Sequence, residues 1–140
     1  MEVRSKNYVR KDDLPTSWIM FDCNYLKEVN DHLGHEYGDL LLQRIANCIQ
    51  ETISKESIAM RVGGDEFLIL CPHHDHQQAE KLIEQLQESF RLKTDNVLKL
   101  DAAFGYYTAT DDTLSFEEAF HIADQNMYAH KKIIHQQRGK

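Results

Sequence analysis

Apolar positions along this chain either fall in short runs or recur at helical spacing, and the switches between the two mark out its elements. The unbroken apolar run Trp18-Ile19-Met20-Phe21 reads as a first strand over about 17–22. A short helix is expected over about 25–32. A longer one runs from about Gly38 to Ile53, where Leu41, Leu42, Ile45, Ala46, Ile49 and Ile53 return at helical spacing. Two runs, Ile58 to Val62 and Phe67 to Leu70, have the content of buried strands and flank a Gly-Gly pair, the sign of a hairpin. A helix over about 77–91 puts Ala79, Leu82, Ile83, Leu86 and Phe90 on one face. Residues 97–109 predict a further strand or strands, with Gly105 marking a bend or close approach. Ser115 and Glu118 have capping-box spacing ahead of a last helix whose stripe is Phe116, Ala119, Phe120, Ala123 and Met127. Alternating strands and helices with an antiparallel hairpin predict an α/β or α+β domain, a central, mostly antiparallel sheet flanked by helices.

At 140 residues there is room for one domain with a real core and none for a second. Residues 1–16 read as a polar lead-in, truncated or disordered, 17–135 as the domain and 136–140 as a polar tail. A net charge of −7 argues against nonspecific binding to nucleic acid or to an anionic membrane surface. No apolar run has the length of a membrane span, and the first residues lack an apolar signal core. Cys23, Cys48 and Cys71, odd in number and far apart, point to reduced thiols in a cytosolic protein.

The densest chemistry lies at Gly63-Gly64-Asp65-Glu66-Phe67, where two glycines and two carboxylates share a bend. A solvated turn is the ordinary reading of any one Gly-Gly-Asp. Here the string is accompanied upstream by residues 18–42, which run from Trp18-Ile19-Met20-Phe21-Asp22 through Lys27, Asn30-Asp31, Gly34-His35 and Gly38-Asp39 to Leu42. Downstream comes Ala123-Asp124-Gln125-Asn126-Met127-Tyr128-Ala129-His130-Lys131-Lys132. Together these resemble the GGDEF domain, the catalytic domain of bacterial diguanylate cyclases, over about residues 18–135. The resemblance implies a fold similar to the nucleotidyl cyclase and polymerase palm. It also implies condensation of two GTP into cyclic di-GMP across a transient homodimer, under an upstream sensory domain, in the cytoplasm.

Asp22 should emerge where the first strand ends and Asp65 at the hairpin tip. If those strands are neighbours, two hard oxygen ligands converge in a way that suits Mg²⁺ or Mn²⁺. A strand-end cap is the competing reading of Asp22. The resemblance assigns the cation to Asp22, the Cys23 backbone carbonyl and Asp65. It places Lys27, Arg61 and Glu66 beside Asp65 as catalytic, with Glu66 supporting the site and its ribose or metal contact left open. Asn30 and Asp39 match positions that hydrogen-bond the guanine edge, a pairing adenine could not satisfy. Leu42 matches a residue of the base pocket, and Tyr25, Gly63, Gly64, Lys131 and His135 complete the implied GTP site. For each of these a local role competes: cap or turn for Asn30 and Asp39, core for Leu42, surface charge for the lysines and Arg61.

The chain departs from the family pattern in four places. It lacks the usual Asp-x-Leu-Thr-Gly-Leu-x-Asn-Arg opening, which reads as a truncation; Asn24 replaces an Asp; and His135 stands where an Arg often meets phosphate. Ser54 and Ser57 occupy the places of an Arg-x-x-Asp product-inhibition motif, so no feedback through that site is expected. A noncatalytic nucleotide-binding or interaction module on the same fold is the alternative function. His73, His74, Asp75 and His76 read as a solvated connection rather than a soft-metal chelate.

Overall fold

The computed structural model describes residues 10–138, without the side chains of 135, 137 and 138. Of the expected lead-in, residues 1–9 lie outside this description, as do tail residues 139–140 and the His135 side chain. The chain runs β1 (Thr16–Cys23), α1 (Leu26–Leu33), α2 (His35–Thr52), β2 (Ile58–Arg61), β3 (Glu66–Cys71), α3 (His76–Lys93), β4 (Ala102–Ala109) and α4 (Phe116–Arg138). The strands form one sheet in the order β2-β3-β1-β4, with every neighbouring pair antiparallel. This is the α+β architecture expected from the pattern.

All eight residues of β1 are buried because helices cover both faces of the sheet. Side chains alternate across a strand, so Ile19, Phe21 and Cys23 enter the core built with α1, α2 and α3. Trp18 and Met20 enter the second core, sealed by Ala119, Ala123 and Met127 of α4. Under the Asp22 end of β1, Phe21 stacks on Phe67 with ring centres 5.1 Å apart and packs edge-on to Phe90 at 5.8 Å. Such contacts add about 1 kcal/mol each to the burial of the rings.

Four local features differ from the sequence reading, each for a visible reason. β2 is exposed along its whole length, not buried: it is an edge strand, and Ile58 and Met60 lie beyond the reach of α4. α2 begins at His35, three residues before the expected start, because Gly34 turns the chain at φ 94° directly out of α1. Residues 97–101 are not strand. Asp95 Oδ1 accepts from the Val97 and Leu98 amides at 2.8 Å and Thr94 Oγ1 from Leu100 at 2.9 Å, so side chains satisfy this backbone in place of a ladder. Within the histidine stretch, Asp75 caps α3 through a reciprocal pair with Gln78, a capping box where the sequence reading has a solvated connection.

The capping box at Ser115 and Glu118 is present, with both bonds formed, at 2.9 and 3.1 Å. Gly105 is a close approach: a Cβ there would stand 1.9 Å from the backbone nitrogen of Met127. Together with Ala103 on the same face, it lets α4 lie directly against β4 near the end of β1 that carries Asp22.

Candidate active site at the β1 end and the acidic hairpin

Asp22 belongs to the face of β1 that α4 covers, in step with Trp18 and Met20. It stands opposite Glu66 in the β1–β3 register. The Cys23 amide donates to the Asp65 carbonyl at 2.7 Å, which ties the hairpin tip to the end of β1. The pairing assumed from sequence is therefore made, and carboxylate oxygens of Asp22, Asp65 and Glu66 come within 4.8 Å of one another. Beside them opens a cleft of about 380 Å³ lined by Asp22, Cys23, Tyr25, Lys27, Asp65 and Lys131, among others.

Lys131 enters this cluster from α4. The buried stripe Ala119, Ala123, Met127 advances by four residues at a time, and one more step gives Lys131. Its ammonium donates to Asp22 Oδ2 at 2.8 Å, with the Asp22 side chain only 4% exposed. Burial still wins over this partner and, with the Asp65 charge, holds the Asp22 carboxyl above its usual range. Glu66 is raised as well, first by burial and then by Asp124, Asp22 and Asp65. Lys131 is raised in turn, chiefly by its bond to Asp22. Burial next to these carboxylates pushes the Cys23 thiol far above the normal thiol range, so its side chain stays protonated and inert. An acidic cluster that raises its own pKa values and offers hard oxygens suits a divalent cation.

A pH experiment follows from Glu66. Its folded pKa lies above its ordinary value of 4.5, so ionisation disfavours the folded state. Stability from this group is complete below 4.5 and is lost as pH rises through the raised folded value. Glu66→Gln should therefore melt higher than the wild type above that window, in the presence of chelator. The difference should vanish below it; a gap independent of pH in paired thermal melts would refute the assignment.

The hairpin turn is held by its own side chain. Arg61 Nε donates to the Gly64 carbonyl at 2.9 Å and to that of Gly63 at 3.2 Å, and the Val62 amide meets the Glu66 carbonyl at 2.9 Å. Among the glycines of the described residues only Gly34 has positive φ, and a Cβ on Gly64 would meet nothing within 4 Å. The fold itself therefore does not require glycine at Gly64.

The remaining sequence candidates divide by position. Lys27 lines the cleft, exposed, with Asp31 at 3.3 Å one turn on. Tyr25 adopts φ 73°, uncommon for a non-glycine residue, and its ring lies 5.2 Å from the Lys99 ammonium. Asn30, Asp39 and Leu42 do not line the cleft. Asn30 sits against Gly38, where a Cβ would stand 1.8 Å from Oδ1; Asp39 is exposed one turn into α2, and Leu42 is half-buried against the core. Sequence reasoning missed Asp101, whose carbonyl and carboxylate hold the Asn24 amide at 2.9 Å and side chain at 3.1 Å. No local spacing reveals that partnership. No histidine belongs to a possible metal cluster among the described residues.

A helix-backed antiparallel sheet with carboxylates gathered between its central strand and a hairpin defines the palm-like class to which the nucleotidyl cyclases belong. The sequence profile described as "Diguanylate cyclase, GGDEF domain" matches residues 2–137, and the chain belongs to the GGDEF family. It is similar to the probable diguanylate cyclase DgcT of Escherichia coli strain K12, 30% identical over 124 residues, covering 84% of this chain and 27% of DgcT. Among solved structures it resembles the active GGEEF domain of a diguanylate cyclase from Vibrio cholerae, with TM-score 0.77, 28% identity, and coverage of 84% of this chain and 77% of that one. Diguanylate cyclase SiaD of Pseudomonas aeruginosa, solved in complex with its activator SiaC, gives TM-score 0.75 and 25% identity over 92% of this chain and 48% of that one. The chain spans only 27% of the length of DgcT and 23% of that of the probable diguanylate cyclase DgcJ from the same organism.

Proposed function

We propose that this domain is a diguanylate cyclase, joining two GTP into cyclic di-GMP with release of two pyrophosphates. The carrying observation is the convergence of Asp22, Asp65 and Glu66 within 4.8 Å at the lip of a cleft that also receives Lys27 and Lys131. Each half-reaction forms a bond from a 3′-oxygen to an α-phosphorus, breaks the α–β phosphoanhydride and releases the hydroxyl proton. A divalent cation held by Asp22, Asp65 and the Cys23 carbonyl would lower the pKa of that hydroxyl and offset charge on the transferring phosphoryl group.

The chain's own residues divide the remaining tasks. Lys27 and Lys131 bring positive charge to the triphosphate. α1 begins at Leu26 with no side-chain cap, so the positive end of its dipole supports the same anion. Gly63 and Gly64 let the backbone approach the nucleotide, and Arg61 holds their carbonyls in place. Outside the cleft wall that takes the phosphates, Asp39 selects guanine by accepting from its N1–H and 2-amino groups, with Asn30 at the same base edge and Leu42 beside the base. Each domain carries one GTP, so turnover requires two domains face to face. We place the reaction in the cytoplasm, where GTP is available, and its control in an upstream sensory segment of a longer protein. Among the described residues no helix is long and apolar enough to cross a membrane.

Concentrated protein incubated with GTP and Mg²⁺ should yield cyclic di-GMP on chromatography, with specific activity rising with protein concentration. Asp65→Asn should yield none. Retention of GTP without product would instead assign a noncatalytic nucleotide-binding module.

A further inference from the structure

α4 both seals one face of the sheet and delivers an ammonium into a cluster of three carboxylates. Lys131 Nζ lies 2.8 Å from Asp22 Oδ2; the Asp22 side chain is 4% exposed and that of Lys131 is 29% exposed. Without some cation, the three carboxylates within 4.8 Å would repel one another strongly in so sheltered a place. Lys131 supplies that charge from within the chain. A divalent cation at Asp22 meets the ammonium on the same carboxylate, where Lys131 already holds Oδ2, and two cations cannot share it cheaply. The four-carbon stem of a lysine is flexible, and this one is partly open to the cleft, so the ammonium has somewhere to go.

We propose that Lys131 is a resident counter-ion of Asp22 which competes with the divalent cation and passes to the triphosphate when the cation displaces it. This rests on the reading of the cleft as a metal and GTP site. Metal arriving alone must break the Lys131–Asp22 pair and leave the ammonium without an equal partner. Metal arriving with a triphosphate supplies that partner. Metal and nucleotide therefore bind cooperatively, each strengthening the other by the same factor.

The test is a titration of Mn²⁺ alone, followed by electron paramagnetic resonance, on wild type, Lys131→Met, Lys27→Met and Asp65→Asn. Lys27 lines the same cleft but pairs with Asp31, so its loss removes equal charge without vacating Asp22. Lys131→Met should bind Mn²⁺ about tenfold tighter than wild type, the scale on which a close charge partner biases an ionised carboxylate. Lys27→Met should stay within about twofold of wild type, because exposed charges are screened. GTP should then strengthen Mn²⁺ binding less in Lys131→Met than in wild type. If Lys131→Met binds Mn²⁺ no better than Lys27→Met while Asp65→Asn abolishes binding, the metal site stands and the counter-ion role falls. If no variant binds Mn²⁺ with or without GTP, the metal reading fails and the proposal with it.

Discussion

An Asp22→Asn protein is expected to form no detectable cyclic di-GMP and yet to melt no lower than wild type. Asp22 is the most buried of the three clustered carboxylates and the one that Lys131 engages. Its amide cannot supply the charge that a divalent cation requires, and the transition state loses an interaction that the free enzyme does not need. Product formation should fall by at least about a thousandfold, the upper range for removing one group that stabilises developing charge. Stability should move the other way because burial and Asp65 already hold the Asp22 carboxyl above its ordinary range. An isosteric neutral group removes that repulsion, and Lys131 is open enough to find water. Product measured by chromatography and melting measured by circular dichroism test the two halves separately. Full activity would remove Asp22 from the site, whereas a large drop in melting temperature would make the Lys131 pair structural.

The second large effect is expected at Gly105, and it falls on stability. An alanine Cβ there would lie 1.9 Å from the nitrogen of Met127 and 2.5 Å from its Cα, both backbone atoms of α4. No side-chain rotation relieves such a contact, so the helix must move off the sheet. Overpacking of this kind costs about 3 kcal/mol, at the upper end of the usual range. The displacement would also strain the Asn126 bond to the Tyr106 carbonyl and the bond from the Phe104 amide to His130 Nδ1. Lys131 would be carried away from Asp22 by the same movement. Gly64→Ala provides the contrast, since a Cβ there meets nothing within 4 Å. Urea denaturation should show a much lower midpoint for Gly105→Ala and no change for Gly64→Ala. Equal midpoints would mean that α4 does not depend on the missing Cβ.

Both residues were legible in the sequence, for different reasons. Asp22 follows an apolar run, so its place at a strand end comes from local pattern alone, and Gly105 interrupts a strand where only close approach or a bend makes sense. The capping box at Ser115 and the hairpin around Asp65 are equally local, and both formed as the spacing implied. What the sequence did not reveal was long-range. Nothing in Ile58-Ala59-Met60-Arg61 says that this run lies at the edge of the sheet, because composition reports β preference and not what covers a strand. Asn24 and Asp101 are 77 positions apart, and only the folded sheet joins them. Lys131 lay between these cases. Helical arithmetic from Met127 puts it on the buried face, but a lysine there gains meaning only once Asp22 is known to be opposite. Asp75 and Gln78 were readable as a cap and were obscured by the histidines around them.

The exposed edge position of β2 has a consequence for the lifetime of the site. Asp22 rides on a strand gripped by neighbours on both sides and by helices above and below. Asp65 rides on a hairpin whose outer arm has four residues, one neighbour and no cover. Local opening therefore starts in the outer arm, where the fewest contacts must break. Each time it does, the β1–β3 ladder up to the Asp22–Glu66 pair and the short bond from the Cys23 amide to the Asp65 carbonyl still hold the two carboxylates together. The outer arm can therefore breathe without parting Asp22 from Asp65: what its fraying releases is the Arg61 grip on the Gly63 and Gly64 carbonyls.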